Sequence, residues 1–174
     1  MKTTLKTLAS VALASGVAAG ALLLTGGAAS AMPSDTPCTA SDVRASVTPD
    51  PTGAAGQEAF VIHYTAAGRT TNCRLEGTPT AVTFTKGSGH SESDGSNTTV
   101  TPDSTDPGQP VNLQAGHPAE SRILQASAAP ATFQPSVVNL SLPTGPNGDT
   151  VTVAWPANAP LKGTTAEVTA VSAS

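Results

Sequence analysis

Apolar and polar residues alternate in many short segments of this chain. In the segment 58–65, for example, Phe60, Ile62 and Tyr64 fall on one face of an extended chain, and the residues between them fall on the other. Strict alternation over four to eight residues predicts a half-buried β-strand. The same pattern recurs in the segments 43–47, 71–75, 81–85, 111–113, 122–126, 138–142, 151–155 and 166–171. No segment has a convincing helical period, so we predict an all-β protein.

Turn residues separate these segments about every 8–12 residues. The segments 48–53 and 143–149 are rich in Pro, Gly and Asp, and the second contains the hairpin-favouring pair Asn147-Gly148. About seven or eight short strands with this spacing are typical of an antiparallel β-sandwich, and we predict an immunoglobulin-like arrangement. Trp155 ends one alternating segment beside Pro156 and is expected in the core, with a place on an exposed rim as the alternative.

The segment 86–109 differs from the rest of the chain because it contains one sizeable apolar residue, Val100. A segment with so little to bury cannot offset the entropy lost on ordering. We therefore predict a long hairpin tip or a mobile loop here.

The first 31 residues have the three parts of a secretory signal. Lys2 and Lys6 form a positive start, an apolar run follows, and 29–31 reads Ala-Ser-Ala. Small residues at these places predict cleavage between Ala31 and Met32. A retained membrane anchor is the alternative, but Ala, Gly and Ser dilute the apolar run. A lipoprotein would need Cys where Met32 stands.

These features divide the chain into a signal peptide (1–31), a flexible lead (32–37) and one β-sandwich domain (38–172). The mature protein is expected to be secreted, free in the medium or associated with the cell wall, and without a membrane span. Removing Lys2 and Lys6 leaves six basic against twelve acidic residues, a net charge of −6. So acidic a chain has no phosphate-binding patch, which makes nucleic acid an unlikely partner.

Two cysteines remain in the mature chain, Cys38 and Cys73. In an oxidising compartment two cysteines most simply form one structural disulfide. Such a bridge closes a loop of 36 residues and would contribute roughly 3–4 kcal/mol to the stability of the domain.

Three parts of the sequence together resemble a secreted actinobacterial family called domain of unknown function 4232. The first is the opening from Cys38 to Val43, the second is the strand that ends in 64–68, and the third is 73–79, which reads Cys-Arg-Leu-Glu-Gly-Thr-Pro. The turn at 113–119 also resembles a family motif. The resemblance spans about 38–172.

The chain departs from the family pattern at a few positions. Ala66, Thr78 and Thr80 stand where Asn, an aromatic residue and Gly are common in the family, and additional cysteines of many members are absent. The resemblance implies a secreted or envelope-linked β-sandwich. It implies no activity.

Residues that could carry chemistry are few and scattered. His63, His90 and His117 are the only histidines, and no two have the spacing of a zinc site. The segment 87–91 places Ser and His close together, but it lacks the form of a nucleophile elbow. The sequence therefore predicts no catalytic residues, no metal and no cofactor.

Two classes of function remain. The first is a non-catalytic binding or structural module of the cell envelope, whose partner is an unknown protein or cell-wall component. Its candidate surface consists of the loops 48–57, 87–106 and 144–149. The second is a secreted protease inhibitor or another extracellular effector, for which Arg74 beside Cys73 is the one hint. The sequence leaves the oligomeric state open.

Overall fold

The computed structural model describes residues 34–52, 55–86 and 96–174, and this part of the chain is all β. The predicted signal peptide and its cleavage site, Ala31 and Met32, lie outside the described residues. The thirteen strands are β1 (Val43–Asp50), β2 (Gln57–Ala66), β3 (Asn72–Leu75), β4 (Thr80–Thr85), β5 (Thr99–Pro102), β6 (Val111–Gln114), β7 (Ala119–Ala126), β8 (Ala131–Phe133), β9 (Val137–Ser141), β10 (Thr150–Ala154), β11 (Leu161–Lys162), β12 (Thr165–Val168) and β13 (Ser172–Ala173).

The strands form two main sheets and two strand pairs. The larger sheet has the order β1-β2-β7-β12-β5, and β13 also pairs with β7. The smaller sheet has the order β10-β9-β4, while β3 pairs with β6 and β8 with β11. The described part contains no helix long and apolar enough to cross a membrane. The predicted all-β class and β-sandwich are confirmed.

The core lies between the two main sheets and follows the alternation read from the sequence. Phe60, Ile62 and Tyr64 of β2 are completely buried. Trp155 is 6% exposed and contacts aromatic rings of both sheets, Phe60 at 4.5 Å and Phe84 at 5.1 Å between ring centroids. Trp155 therefore belongs to the core, as expected, and it joins the two sheets.

The outer face of β2 is more buried than its sequence predicts. Ala59 and Val61 are 2% and 7% exposed. The register places β2 between β1 and β7, and Arg122 of β7 reaches Asp50 of β1 with 3.1 Å between Nη1 and Oδ2. This ion pair spans β2, since Asp50 lies across from Ala59 and Arg122 lies across from Val61.

The thirteen strands exceed the predicted seven or eight mainly because four short strands lack an alternating signal. They are β5, β8, β11 and β13, which have two to four residues each. β5 lies within 86–109, so this part of the predicted hairpin tip or mobile loop is a strand. It pairs with β12 in parallel, an exception to the predicted antiparallel order. Residues 87–95 lie outside the described residues.

The described part of the predicted flexible lead, 34–37, forms hydrogen bonds with two strands. The N–H of Ser34 donates to Oδ1 of Asn112 (3.3 Å), and Thr36 accepts a hydrogen bond from the N–H of Arg74 (2.8 Å). Pro37 forms a bridge with Arg74. The segment 34–37 therefore lies along β3 and β6.

The connections gather at two opposite ends of the sandwich. At the first, Val43 of β1 lies opposite Ala66 of β2, and Tyr64 lies opposite Ala119. The N–H of Ala40 donates to Oδ2 of Asp149 (2.8 Å), which brings the β9–β10 turn to this end. We call it the disulfide end. It comprises the segments 34–42, 66–76, 111–118 and 143–149.

The opposite end holds the β1–β2 loop and the connections around it. There the N–H of Ser127 donates to the carbonyl of Gly56 (3.0 Å), and that of Ser96 donates to the carbonyl of Phe84 (3.0 Å). Its described segments are 50–52, 55–57, 84–86, 96–98, 126–136 and 155–164.

Candidate functional site

The disulfide end is fixed by a bridge between Cys38 and Cys73. The bridge joins the segment before β1 to β3, as predicted, and both cysteines are 3% exposed. A main-chain hydrogen bond from Cys38 N–H to the carbonyl of Arg74 (3.0 Å) runs beside it. The chain before β1 is therefore held against β3 by covalent and hydrogen bonds together.

Asp42 holds the turn between the disulfide and β1. Its Oδ2 accepts hydrogen bonds from the N–H (2.9 Å) and the hydroxyl (2.6 Å) of Thr39. The N–H of Asp42 in turn donates to the carbonyl of Thr39 (3.0 Å). The hydrogen bonds from Thr39 lower the pKa of Asp42 because they favour the charged carboxylate. Asp42, four residues after Cys38, therefore has a structural role, because its carboxylate accepts the hydrogen bonds that hold this turn.

A first cleft lies beside the disulfide. Its volume is about 400 Å³, and it is formed by the segment 37–39 and the β9–β10 connection. Its lining residues are Pro37, Cys38, Thr39, Thr144, Pro146, Asn147 and Asp149. The carboxylate of Asp149 accepts a hydrogen bond from the N–H of Ala40, so it connects the segment before β1 to the β9–β10 connection.

A second cleft of about 450 Å³ lies between the β2–β3 and β6–β7 turns, and we call it the turn cleft. It is lined by Thr65, Ala66, Ala67, Gly68, Arg69, Gln114, Ala115, Gly116 and Pro118. Gly116 has φ 83°, the value that the third position of a type II turn requires. The volume of the turn cleft falls within the range of about 300–1,000 Å³ that is typical of ligand clefts.

Two arginines, Arg69 at this end and Arg44 near the start of β1, form no ion pair with a residue that the structure describes. Of the six lysines and arginines in the described residues, Arg74, Arg122 and Lys162 form ion pairs, and Lys86 lies 5.4 Å from the centroid of the Phe133 ring. The remaining two are Arg44 and Arg69, both exposed. Arg69 lines the turn cleft, and Arg44 lies directly across from Thr65, another of its lining residues.

At the opposite end the charged residues hold the fold together. Lys162 of β11 pairs with Glu58 of β2 (2.8 Å), and Gln125 donates to the same carboxylate (3.1 Å). The hydrogen bond from Lys162 is the main reason that the pKa of Glu58 is lowered. A small cleft of about 210 Å³ at this end is lined mainly by Ser, Asn, Thr and Gly, with Phe133. These contacts close the end of the sandwich.

The structure separates the three loops that the sequence grouped into one surface. The described residues of the loop 48–57 and residues 96–98 of the loop 87–106 lie at the opposite end, whereas 144–149 lies at the disulfide end. The expectation of one surface from all three loops is therefore wrong. The reason is the strand direction, because β9 and β10 place their connection beside the start of β1.

The two histidines that the structure describes, His63 and His117, lie on different elements. His63 lies on the outer face of β2 with Nε2 2.8 Å from the hydroxyl oxygen of Thr48. His117 lies in the β6–β7 turn, and His90 lies outside the described residues. No group of three or more His, Cys, Asp or Glu able to hold a metal occurs in the described part.

Arg74, the residue behind the inhibitor hypothesis, lies in the middle of β3. Its N–H and carbonyl bond to Thr36 and Cys38, and on its other side it pairs with Asn112 of β6. Glu76 lies 3.5 Å from its side chain. A reactive loop must offer free main chain to a protease, so this position does not favour that function.

The segments that carry the family resemblance meet at the disulfide end. The opening at Cys38, the end of β2, the segment 73–79 and the turn at 113–119 all contribute to it. The model of the family described as "Domain of unknown function (DUF4232)" matches residues 38–172. The chain belongs to this family. Comparisons with curated proteins and with solved structures gave no match.

Proposed function

We propose that this DUF4232 protein is a secreted, non-catalytic binding module that acts at the cell envelope through its disulfide end. The observation that carries the proposal is that, among the described residues, two clefts lie at that end, and two arginines without an ion pair lie at one of them: Arg69 lines the turn cleft, and Arg44 lies across from its lining residue Thr65. Binding residues often lie on loops that a rigid scaffold positions. Here the disulfide and the Asp42 turn supply that positioning.

Secretion is part of the proposal. A buried structural disulfide is typical of oxidising compartments outside the cytoplasm. The three-part segment 1–31 supplies an export route. The fold class by itself names no partner, so the partner must be found by experiment.

The test uses two obstruction variants of the exported protein. Ala115→Trp places a large side chain on an exposed residue of the turn cleft, and Ala128→Trp makes the same change at an exposed residue of the opposite end. The biotinylated proteins are used to capture partners from the medium and cell wall of the producing organism. We expect Ala115→Trp to lose a partner that wild type and Ala128→Trp retain. Equal capture by all three proteins would refute a role for this surface.

A further inference from the structure

We propose that the turn cleft binds an acidic peptide segment in an extended conformation, an inference that rests on the proposed binding function. Two cationic side chains, one lining the cleft and one beside it, lie near main-chain N–H groups without a described partner and small apolar lining residues. Each of these three features corresponds to one part of such a ligand.

The cationic groups are Arg44 and Arg69. Neither forms an ion pair with any residue that the structure describes, and both are exposed. The protein as a whole is acidic, so two unpaired guanidiniums beside one cleft are a local exception. Guanidinium groups bind carboxylates through paired, charge-assisted hydrogen bonds.

The nearest carboxylates along the strands have other partners. Asp42 lies across from Ala67, whose N–H donates to the main-chain carbonyl of Asp42 (2.8 Å). The side-chain carboxylate of Asp42 accepts two hydrogen bonds from Thr39. Glu120, two residues beyond Pro118, lies 3.1 Å from Arg122. Neither carboxylate is paired with Arg44 or Arg69, so the two arginines remain available to a ligand.

The main-chain donors are at the tips of the two turns. In the β6–β7 turn, the N–H groups of Ala115 and Gly116 make no hydrogen bond with any described residue. The same holds for the N–H of Arg69 in the β2–β3 turn. Peptide carbonyls are natural acceptors for such groups.

The floor of the cleft favours a peptide over a sugar. Ala66, Ala67, Ala115 and Pro118 are small and apolar, and no aromatic residue lines the cleft. A saccharide site would be expected to present aromatic rings, whereas a peptide chain packs well on small residues. We therefore assign the ligand as an acidic peptide and treat an acidic saccharide as an outcome of the test.

The test titrates the exported protein with a fluorescein-labelled peptide of alternating Asp and Ala, with the matching Asn-Ala peptide, and with a linear oligomer of galacturonic acid. Anisotropy gives affinity, and ¹⁵N-resolved spectra report on the amides of Ala115 and Gly116. We expect binding of the Asp-Ala peptide alone. Arg69→Gln and Arg44→Gln should each weaken it about three- to fivefold, as expected for the loss of one solvent-exposed ion pair.

Arg74→Gln is the matched control, because it makes the same charge change at the same end outside the turn cleft. It should change the affinity less than twofold. Equal binding of the Asn-Ala peptide, equal loss with Arg74→Gln, binding of the galacturonic acid oligomer alone, or no binding of any probe would each overturn the inference. If the Ala115→Trp variant still loses its captured partner while acidic peptides fail to bind, the proposed function stands and the ligand class is wrong.

Discussion

Breaking the Cys38–Cys73 bridge should lower the stability of the domain by about 3–4 kcal/mol. The two residues are separated by 35 positions, so in the chain-entropy model the bridge removes a large part of the freedom of the unfolded chain. For a domain of this size, 1 kcal/mol corresponds to roughly 4 °C in Tm. We therefore expect Tm to fall by about 12–16 °C on reduction, as measured by calorimetry with and without a reductant.

Two comparisons separate the cross-link from packing. Reduced wild type retains both sulfur atoms, whereas the double variant Cys38→Ala/Cys73→Ala also loses these two buried atoms, so its Tm should fall further. Amide exchange should quicken first at Cys38 and Arg74, whose N–H groups bond across the bridged segments. A reduced protein whose Tm lies within about 2 °C of the oxidised form would refute the reasoning.

Three further predictions concern other parts of the domain. Trp155→Ala should destabilise the domain by about 3–5 kcal/mol, because the ring joins the two sheets, and chemical denaturation measures this loss. Gly116→Ala should cost about 1–2 kcal/mol at its positive φ, whereas Gly68→Ala, in the same cleft with negative φ, should be nearly neutral in the same assay. The pKa of Asp42 is lower in the folded protein than in the unfolded chain. The stability that its carboxylate contributes is therefore present above the unfolded pKa and is lost as the pH falls through the lower folded pKa. Asp42→Asn should therefore reduce the loss of stability on acidification, and an unchanged acid limb in a pH series of denaturation curves would contradict this.

Much of the fold follows from local patterns in the sequence. The alternation in 58–65 predicted a strand with Phe60, Ile62 and Tyr64 facing the core, and β2 has this form. Two cysteines sufficed to predict the bridge. The pair Asn147-Gly148 predicted a hairpin between β9 and β10, although the positive φ occurs at Gly145.

The rest depends on contacts between distant segments, which local patterns do not contain. β5 forms because Thr99–Pro102 lies beside β12, and its own sequence has little to bury. The composition of a loop does not reveal at which end of a sandwich the loop lies. The loops 48–57, 87–106 and 144–149 were assigned to one surface for this reason.

The candidate site was missed for the same reason. Arg44 and Arg69 are ordinary surface arginines in the sequence. They stand apart only in the structure. Arg74, Arg122 and Lys162 form ion pairs there, whereas Arg44 and Arg69 form none with a described residue. The one signal that pointed to this end was the clustering of family-like motifs around the two cysteines and the turn at 113–119.

The central claim is that the protein binds its partner through the disulfide end. Site-specific photo-cross-linking tests it most directly, with a photoreactive amino acid placed in the exported protein at Ala115 or, as a control, at Ala128. After irradiation in the medium and cell-wall fraction, we expect a discrete adduct from position 115 that excess unlabelled wild type suppresses, and none from position 128. Adducts from 128 alone, or none from either position, would contradict the account.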